Sequence, residues 1–331
     1  RAVRHDVYLE RMTRAEARAY VSELRRAVKD VVAKIAVTTD RNDLSWLRRV
    51  EKAATAIMEE AVQVANGRLL TTAKRVAAHD ANLLFKDLRD FRIGVDLTMP
   101  AASEIKTWLE MTPTGNGEKI DEMFRSFGAG RVQSAIKEIR VGRMAGETIQ
   151  ELTNRLLGTK EFAWGDGMLA RAARSAETMV RTVVMHASNM GRESLYRANE
   201  EVIKGIQLIA TLDGSTCEVC ANYDGQVFDP SEGPRPPFHQ NCRCTTIPVL
   251  KSYRELGIDA DDLPPGTRAS MDGYESSKTT YTEWFKRQDE SFQRNVLGPG
   301  RFALYDRGVK LQDMVDHGRI LTLDEMEKRG L

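Results

Sequence analysis

The sequence predicts an α+β protein: a long, mostly α-helical N-terminal region followed by a smaller α+β domain with a cysteine and histidine module. Through most of residues 1–205, apolar residues recur every three or four positions, which is the spacing of amphipathic helices. From Gly205 onward, short alternating stretches are separated by glycine and proline, as in strands and loops. We therefore expect two domains, 1–205 and 206–331, and leave open a subdivision of the first near residue 100.

The composition fits a globular protein of about two domains, because the chain has 331 residues of which 41% are hydrophobic. Lys and Arg number 49 against 48 Asp and Glu, and this balance argues against a protein whose whole surface binds nucleic acid. No apolar run approaches the roughly 18 residues of a membrane-spanning helix, so no membrane partner is expected. The chain begins at Arg1 without a signal-peptide pattern, and we expect part of the natural N-terminus to be missing.

The N-terminal region predicts several amphipathic helices. Thr13 and Glu16 fit a capping box, in which hydroxyl and carboxylate each satisfy a backbone N–H at a helix start. Gly67 is expected to end a second helix, because glycine tolerates the left-handed conformation that closes helices, and a third helix is expected over 69–90. Further helices are predicted over 102–111, 119–141 and 168–199, with a second capping box formed by Thr148 and Glu151.

The last of these helices carries a polar stripe that includes four arginines. A solvated helix face is the plainer interpretation of this stripe. The alternative is a contact surface for a partner protein or for phosphates, because a guanidinium group can donate two hydrogen bonds to one oxyanion. The candidate contact residues are Arg171, Arg174, Arg181 and Arg192.

All four cysteines of the chain lie in one short window together with a histidine. The pattern is C-x2-C, then 18 residues, then H-x2-C-x-C, which offers five candidate ligands where Zn²⁺ takes four. Three positions form a firm set, and the fourth ligand, Cys242 or Cys244, is left open. The firm set is Cys217, Cys220 and His239. Four protein ligands would close the site, so the predicted zinc is structural rather than catalytic.

Two other interpretations of the cysteines are weaker. A thioredoxin-like redox pair would need a βαβ setting, and the loop-rich surroundings do not provide one. Disulfides within Cys217–Cys220 or within Cys242–Cys244 would be strained, although a pairing across the two is feasible. Zinc binding is therefore the preferred interpretation.

The module and its surroundings resemble the tailed-phage minor head protein family, the head-morphogenesis proteins of the phage Mu F type. The resemblance covers roughly residues 120–330. Its specific part is the run Ile209–Asp213, Cys217 and Cys220, Asp224-Gly225, Val227-Phe228, Pro236-Pro237, His239 and Asn241–Cys244, and a second pattern includes Trp284-Phe285, Gln288, Gln293, Val296–Gly298, Arg301, Leu304 and Gly308. The first 110 residues resemble no family that we can name.

This resemblance implies a virion protein present in few copies, a minor capsid component that associates with the portal vertex and helps to assemble the head. The implied partners are the portal protein and other head proteins, with packaged double-stranded DNA as a further candidate and no small-molecule substrate. The implied locations are the virion and, during assembly, the host cytoplasm. A role in genome packaging or ejection follows from the same resemblance.

The alternative is an enzyme, either a zinc-supported nuclease of the HNH type or a toxin-like effector. His239 and Asn241 suit a nuclease, but the predicted zinc site uses His239 as a ligand. The other histidines lie far from His239 in the sequence, and none belongs to a paired His or Asp-His motif; they are His5, His79, His186 and His317. Gly298-Pro299-Gly300 is interpreted as a turn and Trp284 as a core residue. No catalytic constellation emerges, so no enzymatic activity is expected.

Overall fold

The predicted α+β class is confirmed. The computed structural model describes residues 2–38, 44–90, 96–262, 264, 266–316 and 318–331. Its α-helices are α1 (Ala2–Val37), α2 (Leu44–Asp90), α3 (Ala102–Met111), α4 (Ile120–Met144), α5 (Ile149–Leu157), α6 (Met168–Arg197), α7 (Glu218–Tyr223), α8 (Tyr281–Phe285), α9 (Glu290–Asp306) and α10 (Leu323–Lys328). Its strands are β1 (Ile203–Ile209), β2 (Val227–Phe228), β3 (Thr245–Leu250), β4 (Thr267–Ser270), β5 (Gly273–Ser276), β6 (Val315–Asp316) and β7 (Arg319–Ile320).

The described chain forms two compact units. The cysteine unit comprises Arg1–Val7, Val76–Gly117 and Met185–Leu331, and the helical unit comprises Tyr8–Arg75 and Glu118–Val184. Neither unit is cut at residue 205. The division into domains 1–205 and 206–331 stays a prediction.

The first predicted helix start is wrong. Helix α1 begins at Ala2 and runs through Thr13, so no capping box forms there. Inside the helical unit, the buried carboxylate of Glu16 accepts hydrogen bonds from the Thr72 hydroxyl at 3.0 Å and from Arg68 Nε at 3.2 Å. Glu16 therefore links two helices instead of capping one.

The predicted helix end at Gly67 is also wrong. Helix α2 continues from Leu44 to Asp90 without a break, so the expected third helix is its second half. Buried apolar residues continue at helical spacing on both sides of Gly67. They are Ala61, Ala65, Leu69 and Ala73. Burial of this continuous face outweighs the cost of about 1 kcal/mol for one glycine inside a helix.

The helices predicted after Pro100 are confirmed. At the start of α5, Thr148 Oγ1 accepts a hydrogen bond from the Glu151 amide at 3.2 Å, and the Glu151 carboxylate accepts one from the Thr148 amide at 2.7 Å. Gly158, at φ 93°, ends this helix in a conformation that favours glycine. The local capping signals are correct where tertiary packing does not compete with them.

The central sheet of the cysteine unit has the order β2-β1-β3, and both pairings are antiparallel. The C-terminal half of α6 lies against β3: the Tyr196 hydroxyl and Arg192 Nη1 each donate to the Thr246 carbonyl at 3.0 Å. Asn189 Nδ2 donates to the Cys244 carbonyl at 3.2 Å, which connects this helix to the cysteine segment.

The C-terminal residues form a core of their own inside the cysteine unit. Trp284 is fully buried there, as predicted, and is surrounded by aromatic and aliphatic side chains. The predicted turn at Gly298 interrupts α9, because Gly298 has a φ of 71° and a non-helical backbone between two helical stretches. Pro299 then starts the second stretch, a position at which proline is well tolerated.

Gly191 of α6 lies at a close approach to α2 within the cysteine unit. A Cβ atom at Gly191 would stand 2.1 Å from the carbonyl oxygen of Ala77, which is backbone and cannot move aside. A Cβ atom at Gly67 would meet nothing within 4 Å. Gly67 can therefore serve as the control for a substitution at Gly191, because both glycines lie inside helices and only Gly191 is crowded.

We expect Gly191→Ala to lower the free energy of unfolding by about 2 kcal/mol or more, because the added methyl group forces the helices apart. The control Gly67→Ala should instead stabilise the protein by about 0.5–1 kcal/mol, since it only removes the backbone freedom of glycine. Thermal melts followed by circular dichroism measure both changes. A Gly191→Ala melt that matches the wild type would contradict the close approach.

Candidate metal centre

The cysteines and His239 converge on one region of the cysteine unit. The Sγ atoms of Cys217 and Cys220 each lie 3.1 Å from His239 Nε2, and Cys220 Sγ lies 3.8 Å from Cys242 Sγ. Two overlapping groups of potential ligands result: Cys217, Cys220 and His239, and Cys220, Cys242 and Cys244. Cys220 belongs to both groups, so the five predicted ligands form one cluster that could hold a metal ion.

Local structure brings the first two sulfurs together. Cys217 immediately precedes α7, and Cys220 lies in the first turn of that helix. Residues three apart on a helix share a face, so both thiols point the same way. A short helix thus brings the two sulfurs together.

A tight turn presents the remaining donors. The Cys242 amide donates to the His239 carbonyl at 3.2 Å, and Asn241 has a φ of 61°. Asparagine is among the residues that tolerate this left-handed conformation. The imidazole is oriented by its other nitrogen, since His239 Nδ1 lies 2.7 Å from the Gln240 carbonyl oxygen, which can only accept. Nδ1 thus carries a proton and Nε2 faces the sulfurs, an orientation typical of metal-binding histidines.

The cluster favours ionised groups. The hydrogen bond with Cys220 lowers the pKa of the Cys217 thiol to about 4, and His239 contributes to the same shift. The hydrogen bond with Cys217 in turn raises the pKa of His239 to about 11. All four cysteines are free thiols. The side chains therefore combine a thiolate with an imidazolium, and a metal ion that displaced the proton from Nε2 would find ligands already in place.

An ion pair supports the turn from outside. Arg243, between the last two cysteines, donates from Nη1 and Nη2 to the two carboxylate oxygens of Asp213 at 2.6 and 2.7 Å. This two-pronged pairing fixes both position and orientation of the segment. Asp213 precedes Cys217 by four residues, so the pair connects the two ligand-bearing segments without using a ligand.

Asp224 is a second support, and sequence reasoning missed it. Its fully buried carboxylate accepts hydrogen bonds from the backbone amides of Ala210 and Tyr281, both at 2.6 Å, and from Arg268 at 2.9 and 3.0 Å. In the sequence, Asp224-Gly225 stood out only as part of the family resemblance. Nothing local signals this role, because the partners lie up to 57 residues away.

Residues before the family-like region also hold the cluster. The Gly115 amide donates to the Pro237 carbonyl at 2.7 Å, and a Cβ atom at Gly115 would stand 2.3 Å from that oxygen. Farther back in the same loop, Arg235 Nε donates to the buried Glu193 carboxylate at 2.9 Å. The proline-rich segment that delivers His239 is thus fixed at two points.

The four arginines of the α6 stripe differ in their contacts and in their exposure. Arg171 Nη2 donates to Glu138 at 2.7 Å and Arg181 Nη1 to Glu10 at 2.9 Å, all within the helical unit. Arg192 is largely buried and bonds to β3, whereas Arg174 is exposed. A partner or phosphate contact through the stripe stays a prediction.

Two of the remaining histidines, which are far apart in the sequence, come together in the structure. His5 and His79 converge with Asp80 into a third group of potential ligands, although 74 positions separate the two histidines in the sequence. His186 is buried with its Nε2 3.3 Å from the Leu109 carbonyl, and burial lowers its pKa to about 4, so it is neutral. His317 lies outside the described residues.

The α+β fold and the Cys/His cluster place this chain among proteins whose loops converge on a potential metal site. Residues 133–247 match the family described as Phage Mu protein F like protein, and this stretch contains all five candidate ligands. The resemblance to phage Mu F-like proteins that the sequence predicted is confirmed over these matched residues. The second pattern, after residue 280, lies beyond the match.

No curated protein and no solved structure matches the chain significantly. Within the described residues, no helix combines the length and the apolar character needed to cross a membrane.

We expect Asp224→Asn to lower the free energy of unfolding by about 3 kcal/mol, because Arg268 would lose its carboxylate partner inside the protein. The control is Asp229→Asn, an exposed loop carboxylate that bonds only to Ser231 among the contacts described, and it should change stability by about 0.5 kcal/mol or less. Chemical denaturation followed by tryptophan fluorescence measures both values. Equal effects of the two substitutions would contradict the role assigned to Asp224.

Proposed function

We propose that this protein is a minor component of a phage head that associates with the portal vertex and assists head assembly. The observation that carries the proposal is the family match over residues 133–247, which includes the whole Cys/His cluster. Portal and other head proteins are its proposed partners, the virion its proposed location and the host cytoplasm its location during assembly. Contact with packaged double-stranded DNA and a part in genome packaging or ejection belong to the same proposal.

The cluster is proposed to hold one structural Zn²⁺. Tetrahedral zinc with bonds of about 2.3 Å to sulfur places two thiolates about 3.8 Å apart. The Cys220–Cys242 separation of 3.8 Å fits this edge, and Cys242 also interacts with His239. We therefore assign Cys217, Cys220, His239 and Cys242 as ligands and Cys244 as a buried neighbour of the site.

A closed site of this kind performs no reaction, and we propose that the protein is not an enzyme. An HNH-type nuclease would need His239 as a catalytic residue. Here its Nε2 atom lies 3.1 Å from the Sγ atoms of Cys217 and Cys220, the side chain also interacts with Cys242, and Nδ1 contacts the Gln240 carbonyl. It is thus committed to the cluster. The nuclease and effector alternatives remain outcomes of the tests below.

For the zinc proposal, we expect about one zinc per chain in metal analysis of the purified protein, and its loss in Cys220→Ser. Removing the ion should destabilise the cysteine unit strongly, since structural zinc contributes on the order of 10 kcal/mol in small modules. Cys242→Ser should lose the metal and Cys244→Ser should keep it. Retention in Cys242→Ser with loss in Cys244→Ser would reverse the assignment, and full zinc in Cys220→Ser would refute the site.

For the head proposal, we expect the protein to co-purify with portal assemblies and to be detected at a single vertex of purified particles by immunogold labelling. Plasmid DNA incubated with the protein and Mg²⁺ or Mn²⁺ should stay intact. Labelling at every vertex, or absence from particles together with plasmid cleavage that His239→Ala abolishes, would overturn the proposal in favour of another capsid role or a nuclease.

A further inference from the structure

A third group of ligand atoms lies in the cysteine unit and shares no residue with the cysteine cluster. His5 Nε2 is 2.8 Å from Asp80 Oδ1, and one potential ligand atom each from His5, His79 and Asp80 lie within 4.8 Å of one another. The two imidazole rings are stacked, with centroids 6.2 Å apart and planes 6° from parallel. Two imidazole rings and one carboxylate thus meet at one point, contributed by the start of α1 and the middle of α2.

Asp80 is the unusual member of this group. Its side chain is 0% exposed, yet neither carboxylate oxygen accepts a hydrogen bond of normal geometry in the described structure. Buried carboxylates are nearly always satisfied by donors, because an unpaired buried charge is costly. The contact with His5 has the distance of an ion pair but not the geometry of a hydrogen bond, and it places two potential ligand atoms side by side.

The neighbouring guanidinium of Arg192 does not resolve this imbalance. Arg192 Nη2 is 3.9 Å from Asp80 Oδ1, which is beyond hydrogen-bonding distance, while Nη1 of the same guanidinium donates to the Thr246 carbonyl at 3.0 Å. Arg192 is therefore oriented toward β3, and it compensates the Asp80 charge only through space. A cation bound directly to the carboxylate would satisfy it.

We propose that His5, His79 and Asp80 bind a divalent transition-metal ion. Two imidazoles with one carboxylate suit borderline ions such as Zn²⁺, Co²⁺ and Ni²⁺, whereas Mg²⁺ and Ca²⁺ prefer all-oxygen sites. Three protein ligands leave a coordination position open, and the exposure of His79 turns this position toward solvent. The ion would fasten the start of α1 to α2.

This site is independent of the proposed function and of the cysteine cluster. The test uses the full, untagged chain dialysed against excess Zn²⁺ and then analysed for bound metal. We expect about two zinc ions per chain in the wild type, about one in His79→Ala and Asp80→Asn, and two in the control Asn82→Ala, an exposed substitution in the same helix. Cys220→Ser should lose only the zinc of the cysteine cluster.

Replacement of zinc by Co²⁺ gives a second measurement. The cysteine cluster should show thiolate-to-cobalt charge transfer, and the histidine site should add a Co²⁺ spectrum without it that disappears in His79→Ala. Because His79 is exposed, this variant should keep the wild-type circular dichroism. One metal per chain in the wild type, or two in both His79→Ala and Asp80→Asn, would overturn the proposal whatever the result at the cysteines.

Discussion

The convergence of Cys217, Cys220 and His239 is the constraint on which the C-terminal half of this protein depends. The 18 residues between the second and third of these contain little regular structure, so their path must be fixed by contacts. Closing a loop costs chain entropy that rises with its length, and each internal contact divides the loop into shorter pieces. Asp224 and Arg235 provide two such contacts, and the Cys/His cluster closes the part of the loop that these contacts do not fix.

Helix α6 supplies the fixed side of this arrangement. Tyr196 and Arg192 hold β3, and Glu193 holds Arg235 in the proline-rich loop, so one helix positions both arms that lead to the cluster. These polar residues work inside the cysteine unit. Partner contacts are better sought farther toward the N-terminus of the helix, where Arg174 is exposed.

Local signals made much of the fold and the Cys/His ligand set predictable. Ligand spacing and capping residues depend on neighbours in the sequence, which is why α5 and the cluster were foreseen. The same kind of signal failed at Thr13 and Gly67, because burial of a continuous apolar face outweighed capping and glycine preferences. Asp224 and the histidine pair could not be predicted, since their partners are far away in sequence and only the tertiary structure brings them together.

The close approach of Gly115 to Pro237 shows that the segment matched by the family is shorter than the segment that folds together with it. The family match begins at residue 133, but the loop that presents His239 is hydrogen-bonded to the backbone of Gly115, which lies before that point. A recombination event that transferred only the matched segment to another gene would leave the carbonyl of Pro237 without its donor and uncover the side of the loop that Gly115 contacts. We therefore expect the Cys/His module to be inherited together with the segment around Gly115 that precedes the matched residues.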